Sequence, residues 1–252
     1  MTITALIFDF DGTILDTETP EFESWCAEFT THGATLTLDW WSGCIGTAGP
    51  AFDPYDHLER CTGCPVDRPA VRDRRRAQYM ALLEREQPRP GVLPWIAAAR
   101  DAGLSLAVAS TASRAWVHGH LDRLALRGSF DQTACGDEVE RVKPAPDLYQ
   151  LALRRLEKEP GQAIAIEDSP NGIAAAKAAG LFCIAVPNPL TASLDLSAAD
   201  LRLASPGGSA AGRDSPHVHL ISSASQAAAS QTYTVCASGP TLSSIGTHPR
   251  RV

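Results

Sequence analysis

The sequence predicts an α/β protein with a doubly wound parallel sheet and a helical insert after its first strand. Short apolar, β-rich runs recur along the chain, and segments with helical spacing of apolar residues separate them. This alternation is typical of a parallel sheet with helices on both faces. Residues 17–87 interrupt the alternation because they carry helical patterns without a clear strand.

Six strands and several helices can be placed on these patterns. The predicted strands are 2–8, 104–109, 130–135, 163–166, 182–186 and 201–203. The predicted helices outside the interrupted region are 92–102, 114–126 and 147–156, and a further helix, 17–32, opens that region and stops at Gly33. We therefore expect a core formed by residues 1–16 and 88–204, with residues 17–87 as a helical insert.

Composition narrows the class of protein. The chain has 252 residues, 44% of them hydrophobic, which is enough for one large α/β domain with an inserted module. Its net charge of −7 argues against a nucleic-acid partner, and no apolar run approaches the ~20 residues of a membrane span. Seven cysteines are scattered along the chain and a strand begins almost at the N-terminus. We therefore expect reduced thiols, no signal peptide, a cytoplasmic location, and a monomer or weak dimer.

The C-terminal segment has a different composition. Residues 205–252 are rich in Ser, Ala, Gly, Pro and Thr, and three arginines against one aspartate give them a formal charge of +2. No amphipathic period is apparent. The segment is therefore predicted to be a disordered tail.

The most informative motif is Asp9-Phe10-Asp11-Gly12-Thr13, directly after the first predicted strand. Ligands of open α/β sheets bind at the carboxyl ends of the strands. Gly12 lets the backbone turn there and approach a ligand closely. Two carboxylates at this edge predict a catalytic site rather than an ordinary turn.

Three further segments place polar groups at comparable positions. Ser110 and Thr111 follow the strand 104–109, and Glu167-Asp168 follows the strand 163–166. Lys143 lies in Val-Lys-Pro-Ala-Pro, before the helix 147–156, and it is one of only three lysines in an arginine-rich chain. A lysine is a compact point charge, which arginine does not replace at a crowded phosphate.

Together these segments resemble the four ordered motifs of the haloacid-dehalogenase-like hydrolase superfamily, in its β-phosphoglucomutase-like, phosphoglycolate-phosphatase-like branch. The resemblance covers roughly residues 3–203. It implies a Rossmann-like core and a helical cap that closes over the active site and selects substrates. It also implies a phosphatase acting on a small organic phosphomonoester.

The resemblance assigns roles to the motif residues. Asp9 would be the nucleophile that forms an aspartyl-phosphate, and Asp11 would be the general acid and base. The phosphate would be bound by Gly12, Ser110, the backbone of Thr111 and Lys143.

A divalent cation is implied as well, because several carboxylates would otherwise repel the phosphate. Mg²⁺ suits oxygen ligands of this kind. In the family pattern Asp9 and Asp168 bind it by their side chains and Asp11 by its backbone carbonyl. Glu167 would hold it directly or through water.

Other functions remain open at this point. Mutases of the same branch carry a histidine at the start of the cap, whereas residues 17–23 contain none, which favours a phosphatase. Haloacid dehalogenation would leave Asp11 without a role. A phospho-accepting receiver also uses an aspartate, a hydroxyl residue and a lysine, but receivers are about half this length and lack the insert.

The insert itself offers weaker signals. The run Arg72, Arg74, Arg75 and Arg76 is interpreted as a solvated helix face, with recognition of a second anionic group as the alternative. Trp25, Trp40 and Trp41 are expected to form the core of the insert. The isolated Cys61-Thr-Gly-Cys64 has no second pair, so we expect no zinc site there.

Overall fold

The computed structural model of the chain describes residues 2–43 and 53–203. The predicted tail, 205–252, lies outside the described residues, as do Cys44 and Cys236. The five described cysteines are all free thiols. In the two described ranges, no helix is both long and apolar enough to cross a membrane.

A six-stranded, all-parallel sheet with strand order β3-β2-β1-β4-β5-β6 forms the core. The strands are β1 (Ala5–Phe8), β2 (Ser105–Ala109), β3 (Gln132–Ala134), β4 (Ala163–Glu167), β5 (Phe182–Ala185) and β6 (Leu201–Arg202). The order reverses at β1, which lies between β2 and β4. The predicted doubly wound parallel sheet is confirmed, and β1 marks the switch point where such sheets bind ligands.

Eight α-helices lie in the described ranges. Four fall between β1 and β2: α1 (Glu18–Thr31), α2 (Leu38–Ser42), α3 (Pro54–Thr62) and α4 (Arg68–Leu83). The other four alternate with the strands: α5 (Val92–Asp101), α6 (Arg114–Arg123), α7 (Asp147–Leu156) and α8 (Pro170–Ala178). We call α1–α4 the helical insert; the exact domain bounds 1–16, 17–87 and 88–204 stay a prediction.

Several helices begin where a short polar side chain caps the first turn. Asp53 accepts from the backbone of α3, Asp67 from that of α4, and Ser113 and Ser169 do the same for α6 and α8. Such caps satisfy backbone N–H groups that have no partner within the helix.

The prediction of a helix through residue 126 was wrong at its end. Helix α6 stops at Arg123, and Ala125 adopts a left-handed conformation with φ of 56°. The Leu126 N–H then bonds the Leu121 carbonyl at 2.8 Å, and Leu126 returns to the core with 6% exposure. The helix therefore has a Schellman-type ending. Burial of the Leu126 side chain stabilises this ending more than a further helical turn would.

Apolar residues pack on both faces of the sheet. Along β1 the side chains alternate, so Leu6 and Phe8 join one buried cluster while Ala5 and Ile7 join the cluster on the other face. A third cluster, formed mainly by the helical insert and joined by Leu190, contains Trp25 and Trp41, with Trp40 packed against it. Trp25 and Trp41 thus lie in the core of the insert, as expected, whereas Trp40 is partly buried at its edge.

The two chain segments that connect the sheet to the insert are hydrogen-bonded to each other. Leu15 pairs with Pro88 as an isolated antiparallel bridge, and the Arg89 N–H bonds the Ile14 carbonyl at 2.8 Å. The buried Arg89 guanidinium also donates to the carbonyls of Gly12, Val186 and Pro187. Arg89 therefore ties the turn after β1 to the loop after β5.

Candidate active site

The predicted site residues meet at the carboxyl end of the sheet, which we call the rim. Asp9 directly follows β1, Ser110 follows β2, and Glu167 ends β4. The Asp9 N–H bonds the Ile166 carbonyl and the Ser110 N–H bonds the Ala134 carbonyl, both at 2.9 Å. Backbone pairing with neighbouring strands thus holds these residues, and burial leaves each of them less than a tenth exposed.

Lys143 connects two of the carboxylates. Its Nζ lies 2.5 Å from Asp9 Oδ1 and 2.6 Å from Glu167 Oε1. Tyr149 also donates its hydroxyl to Glu167 Oε1 at 2.7 Å, and the ammonium lies 5.2 Å from the Tyr149 ring centroid. Lys143 is therefore a buried, paired ammonium at the rim.

Asp168 is oriented from two sides. Thr13 donates its hydroxyl to Oδ1 at 3.2 Å, and the Asn188 amide donates to Oδ2 at 2.8 Å. Gly12, at φ of +81°, lies so close that a Cβ there would meet Asp168 Oδ2 at 2.4 Å. Only glycine therefore fits the turn that follows β1.

Asp11 is held by a different set of donors. The Trp116 indole Nε1–H donates to Oδ1 at 2.9 Å, and the Ser110 hydroxyl donates to Oδ2 at 3.1 Å. Ser110 Oγ in turn accepts from the Ala112 N–H at 3.0 Å. The loop after β2 thereby places the Ser110 hydroxyl against Asp11.

Burial shifts the acid–base properties of the site. It raises the pKa of Asp9 to about 8 although Lys143 opposes the shift. Burial, with Glu18 and Asp9 nearby, also raises the pKa of Asp168 well above its ordinary value. Burial raises the pKa of Asp11 too, against hydrogen bonds from Trp116, Ser110 and Thr17. The rim is therefore short of positive charge.

The residues present fit a hard divalent cation. Asp9, Glu167 and Asp168 each offer a carboxylate oxygen, and these atoms lie within 4.8 Å of one another. Asp9 Oδ2 is buried and has no hydrogen-bond partner among the described residues. Oxygen-only donor sets of this kind suit Mg²⁺. Glu167 already accepts four hydrogen bonds, from Lys143, Tyr149, Asp168 and Ser169, so a direct bond to a metal would compete with these.

The structure brings the predicted carboxylates, Ser110 and Lys143 together at the rim. The Thr111 side chain is exposed, and the role of its backbone stays a prediction. Sequence reasoning missed Trp116, Tyr149 and Asn188. Asn188 follows β5 at the same edge of the sheet, a position that could have identified it. Trp116 and Tyr149 lie inside helices, where no local pattern distinguishes them from core residues.

The arginine run of α4 is only partly the solvated face that was expected. Arg72 and Arg76 are exposed, and Arg74 pairs with Glu28 at 2.9 Å. Arg75 instead packs its guanidinium 5.1 Å from the Trp25 ring centroid and 5.9 Å from that of Tyr79. Its Nε and Nη1 are buried without a hydrogen-bond partner among the described residues, although Nη1 lies 3.6 Å from a Glu21 oxygen.

Comparison with known proteins places the chain in a family. A family model described as "Hydrolase: haloacid dehalogenase-like hydrolase" matches residues 3–180. YhcW of Bacillus subtilis, which is named as a phosphatase, is 43% identical over 81% of this chain and 92% of that protein. The fructose-1-phosphate phosphatase YqaB of Escherichia coli is 30% identical over 72% of this chain and 95% of its own.

Solved structures agree with this placement. CbbY from Rhodobacter sphaeroides in complex with phosphate has a TM-score of 0.62 and 32% identity, covering 81% of this chain and 95% of that one. A mutant of the same protein was solved with xylulose-(1,5)bisphosphate, with the same TM-score of 0.62. The chain belongs to the haloacid dehalogenase-like hydrolases. Within that family it is an enzyme that hydrolyses phosphoric monoesters, and the predicted membership of the superfamily is confirmed.

Proposed function

We propose that this enzyme is a Mg²⁺-dependent sugar phosphatase that works through an aspartyl-phosphate on Asp9. The observation that carries the proposal is Asp9 Oδ2, a buried carboxylate oxygen without a partner among the described residues, beside a second aspartate and a buried lysine. A buried group in this state is costly unless a substrate or ion completes its environment. A phosphate with its cation would do so.

Asp9 acts as the nucleophile in this proposal. Lys143 holds Oδ1 at 2.5 Å and thereby leaves Oδ2 as the atom that attacks phosphorus. The ester oxygen departs in line, and the phosphoryl group is transferred to Asp9 Oδ2. Lys143 stays against the same carboxylate, so its charge offsets charge that builds up on the phosphoryl oxygens.

Asp11 handles the protons. In the first step it gives a proton to the departing alkoxide; in the second it takes a proton from the water that cleaves the aspartyl-phosphate. Burial favours the protonated form of Asp11 and so supports the first step. The Ser110 hydroxyl and the Thr111 backbone N–H bind the remaining phosphoryl oxygens.

The Asp9 and Asp168 carboxylates would hold Mg²⁺, with the Asp11 carbonyl and Glu167 nearby. When bound, the cation supplies Lewis-acid stabilisation and offsets repulsion between carboxylates and phosphate. Thr13 and Asn188 orient Asp168 for this role.

The substrate class follows from the relatives. The family members reported above include a fructose-1-phosphate phosphatase and a protein solved with a ketose bisphosphate. A sugar phosphate is therefore the substrate class best supported for this chain.

The nucleophile is tested by Asp9→Asn, which keeps the shape of the side chain and removes its nucleophilicity. We expect turnover to fall by at least about 1,000-fold, as for other catalytic nucleophiles. The matched control is Asp101→Asn, at an exposed position at the end of α5, which should leave kcat unchanged. Retention of more than a few per cent of kcat by Asp9→Asn would contradict the covalent mechanism.

The substrate class is tested by a panel of aldose and ketose monophosphates and bisphosphates, with phosphoglycolate and nucleotides for comparison. Each is assayed with excess chelator and with added Mg²⁺. We expect the highest kcat/KM for a sugar phosphate, and activity only when Mg²⁺ is present. A preference for nucleotides, or full activity in chelator, would contradict the respective part of the proposal.

A further inference from the structure

Trp116 contacts the site and the helical insert at the same time. On one side its Nε1–H donates to Asp11 Oδ1 at 2.9 Å. On another its ring lies parallel to that of Tyr79 in α4, with 6.2 Å between centroids and 4° between planes. The His120 ring packs against it in a T-shaped arrangement, with 4.4 Å between centroids and 70° between planes. Trp116 itself belongs to α6 of the core.

The chemistry of the indole decides how Asp11 is oriented. An indole N–H can only donate, whereas a hydroxyl donates or accepts. Asp11 Oδ1, which accepts from Trp116, therefore always faces a donor. Asp11 Oδ2, which faces the adaptable Ser110 hydroxyl at 3.1 Å, is the oxygen left to face the ester oxygen of a substrate.

We propose that Trp116 is a positioning residue that aims Asp11 Oδ2 at the leaving oxygen and links this orientation to the insert through Tyr79. This inference rests on the proposed function, because it assumes that Asp11 protonates the leaving group. It adds a residue that acts only through Asp11.

The link to the insert follows from where the two rings are anchored. Tyr79 is half-buried and packs against the core cluster although α4 belongs to the insert. Displacement of α4 from the core removes one face of the Trp116 packing. The indole is then held only from the core side, and the hydrogen bond to Asp11 loses its constraint. Proton donation is therefore efficient only when α4 lies against α6.

Trp116→Phe tests whether the indole orients Asp11, because it keeps an aromatic ring and removes the N–H donor. The readout is kcat/KM, which reports the step that forms the aspartyl-phosphate. For a sugar phosphate, whose alkoxide needs a proton to leave, we expect a fall of about 10-fold or more. For p-nitrophenyl phosphate, whose phenolate leaves without one, we expect less than about a 2-fold change.

Tyr79→Ala tests whether the orientation of Asp11 depends on the packing of Trp116 against the insert. It should reproduce the selective loss with sugar phosphate, and the double variant with Trp116→Phe should lose little more than either single variant, since both remove one constraint. Trp40→Phe is the matched control, a tryptophan substitution within the insert, and should alter neither substrate. Thermal melting of each variant excludes unfolding as the cause.

A second readout does not depend on turnover. The chain has five tryptophans, so the Trp116 indole resonance can be assigned by its absence in Trp116→Phe. Hydrogen exchange of this N–H should be slow in the wild type, and at least about 10-fold faster in Asp11→Ala and in Tyr79→Ala. Exchange that is equally fast in all three would overturn the linkage.

The outcomes separate the two proposals. Equal losses on both phosphate substrates would mean that Trp116 is merely structural, which overturns the positioning role. If the wild type hydrolyses no sugar phosphate, the proposed function fails, and the exchange measurement alone decides whether Asp11, Trp116 and Tyr79 are linked.

Discussion

The carboxylates around Arg68 in the helical insert differ from those at the rim of the sheet in burial and in ion pairing. In the insert, the half-exposed Arg68 lies within 3.5 Å of three carboxylates, those of Asp53, Asp56 and Glu59. At the rim, three buried carboxylates, those of Asp9, Glu167 and Asp168, lie close together beside the buried ammonium of Lys143. The three carboxylates around Arg68 are thus at least partly exposed and paired, whereas those of the rim are buried and short of counter-charge.

The pKa values of Glu59 beside Arg68 and of the rim aspartates shift in opposite directions. The hydrogen bond from Arg68 lowers the pKa of Glu59, so this pairing favours the folded state. Burial raises the pKa of Asp9 and Asp168, so their ionised forms disfavour the folded state. Such unfavourable clusters persist at functional sites because a ligand completes them. The direction of the pKa shift therefore distinguishes a carboxylate that stabilises the fold, Glu59, from carboxylates that serve the reaction, Asp9 and Asp168.

The largest expected effect comes from removing the ammonium at the rim. Lys143→Met leaves Asp9 and Glu167 buried without their counter-charge, which should cost about 3–5 kcal/mol of unfolding free energy and abolish activity. Arg68→Met, the matched change in the insert, should cost far less because Arg68 is 41% exposed. Denaturant unfolding measures both. Equal losses would break the contrast between the two regions.

A smaller effect is expected when Asp168 loses its orienting partner. Asn188→Ala removes the amide that donates to Asp168 Oδ2, and the Mg²⁺ concentration for half-maximal activity should rise roughly 10- to 100-fold. Thr191→Ala serves as control, since it removes only the hydroxyl that accepts from the Asn188 backbone. An unchanged Mg²⁺ requirement in Asn188→Ala would show that Asp168 is positioned without it.

The smallest expected effect is a pH dependence of stability in the metal-free protein. The folded protein retains a proton on Asp9 up to about pH 8, whereas the unfolded chain releases it near 3.8. Stability should therefore fall as the pH rises through this window, by at least about 1 kcal/mol. Glu59 acts in the opposite sense, since its contribution is lost as the pH falls.

Unfolding in chelator at several pH values measures this slope. Asp9→Asn should flatten it, and added Mg²⁺ should also flatten it because the cation competes with protons for the carboxylates. A stability of the metal-free wild type that rises from pH 5 to pH 8 would contradict the raised pKa of Asp9.

The sequence by itself determined the sheet and the list of candidate catalytic groups. Strands are short apolar runs, and the polar residue after each run necessarily lies at the carboxyl end of a parallel sheet. Asp9, Ser110 and Asp168 could therefore be assigned to one edge from their positions along the chain. Lys143 was identified by its motif and its rarity. All of these are short motifs. For the residues that follow strands, the geometry of a parallel sheet is enough to place them.

Only the tertiary structure decided how those groups are held. Trp116 donates to Asp11 across 105 positions of sequence, and Asn188 donates to Asp168 across 20. Such contacts depend on how α6 and the loop after β5 pack against the rim, which no local period encodes. The end of α6 was mispredicted for the same reason, because burial of Leu126 stopped the helix. Local sequence patterns identify the candidate catalytic residues. Packing between segments that are distant in sequence determines the hydrogen-bond partners of each one.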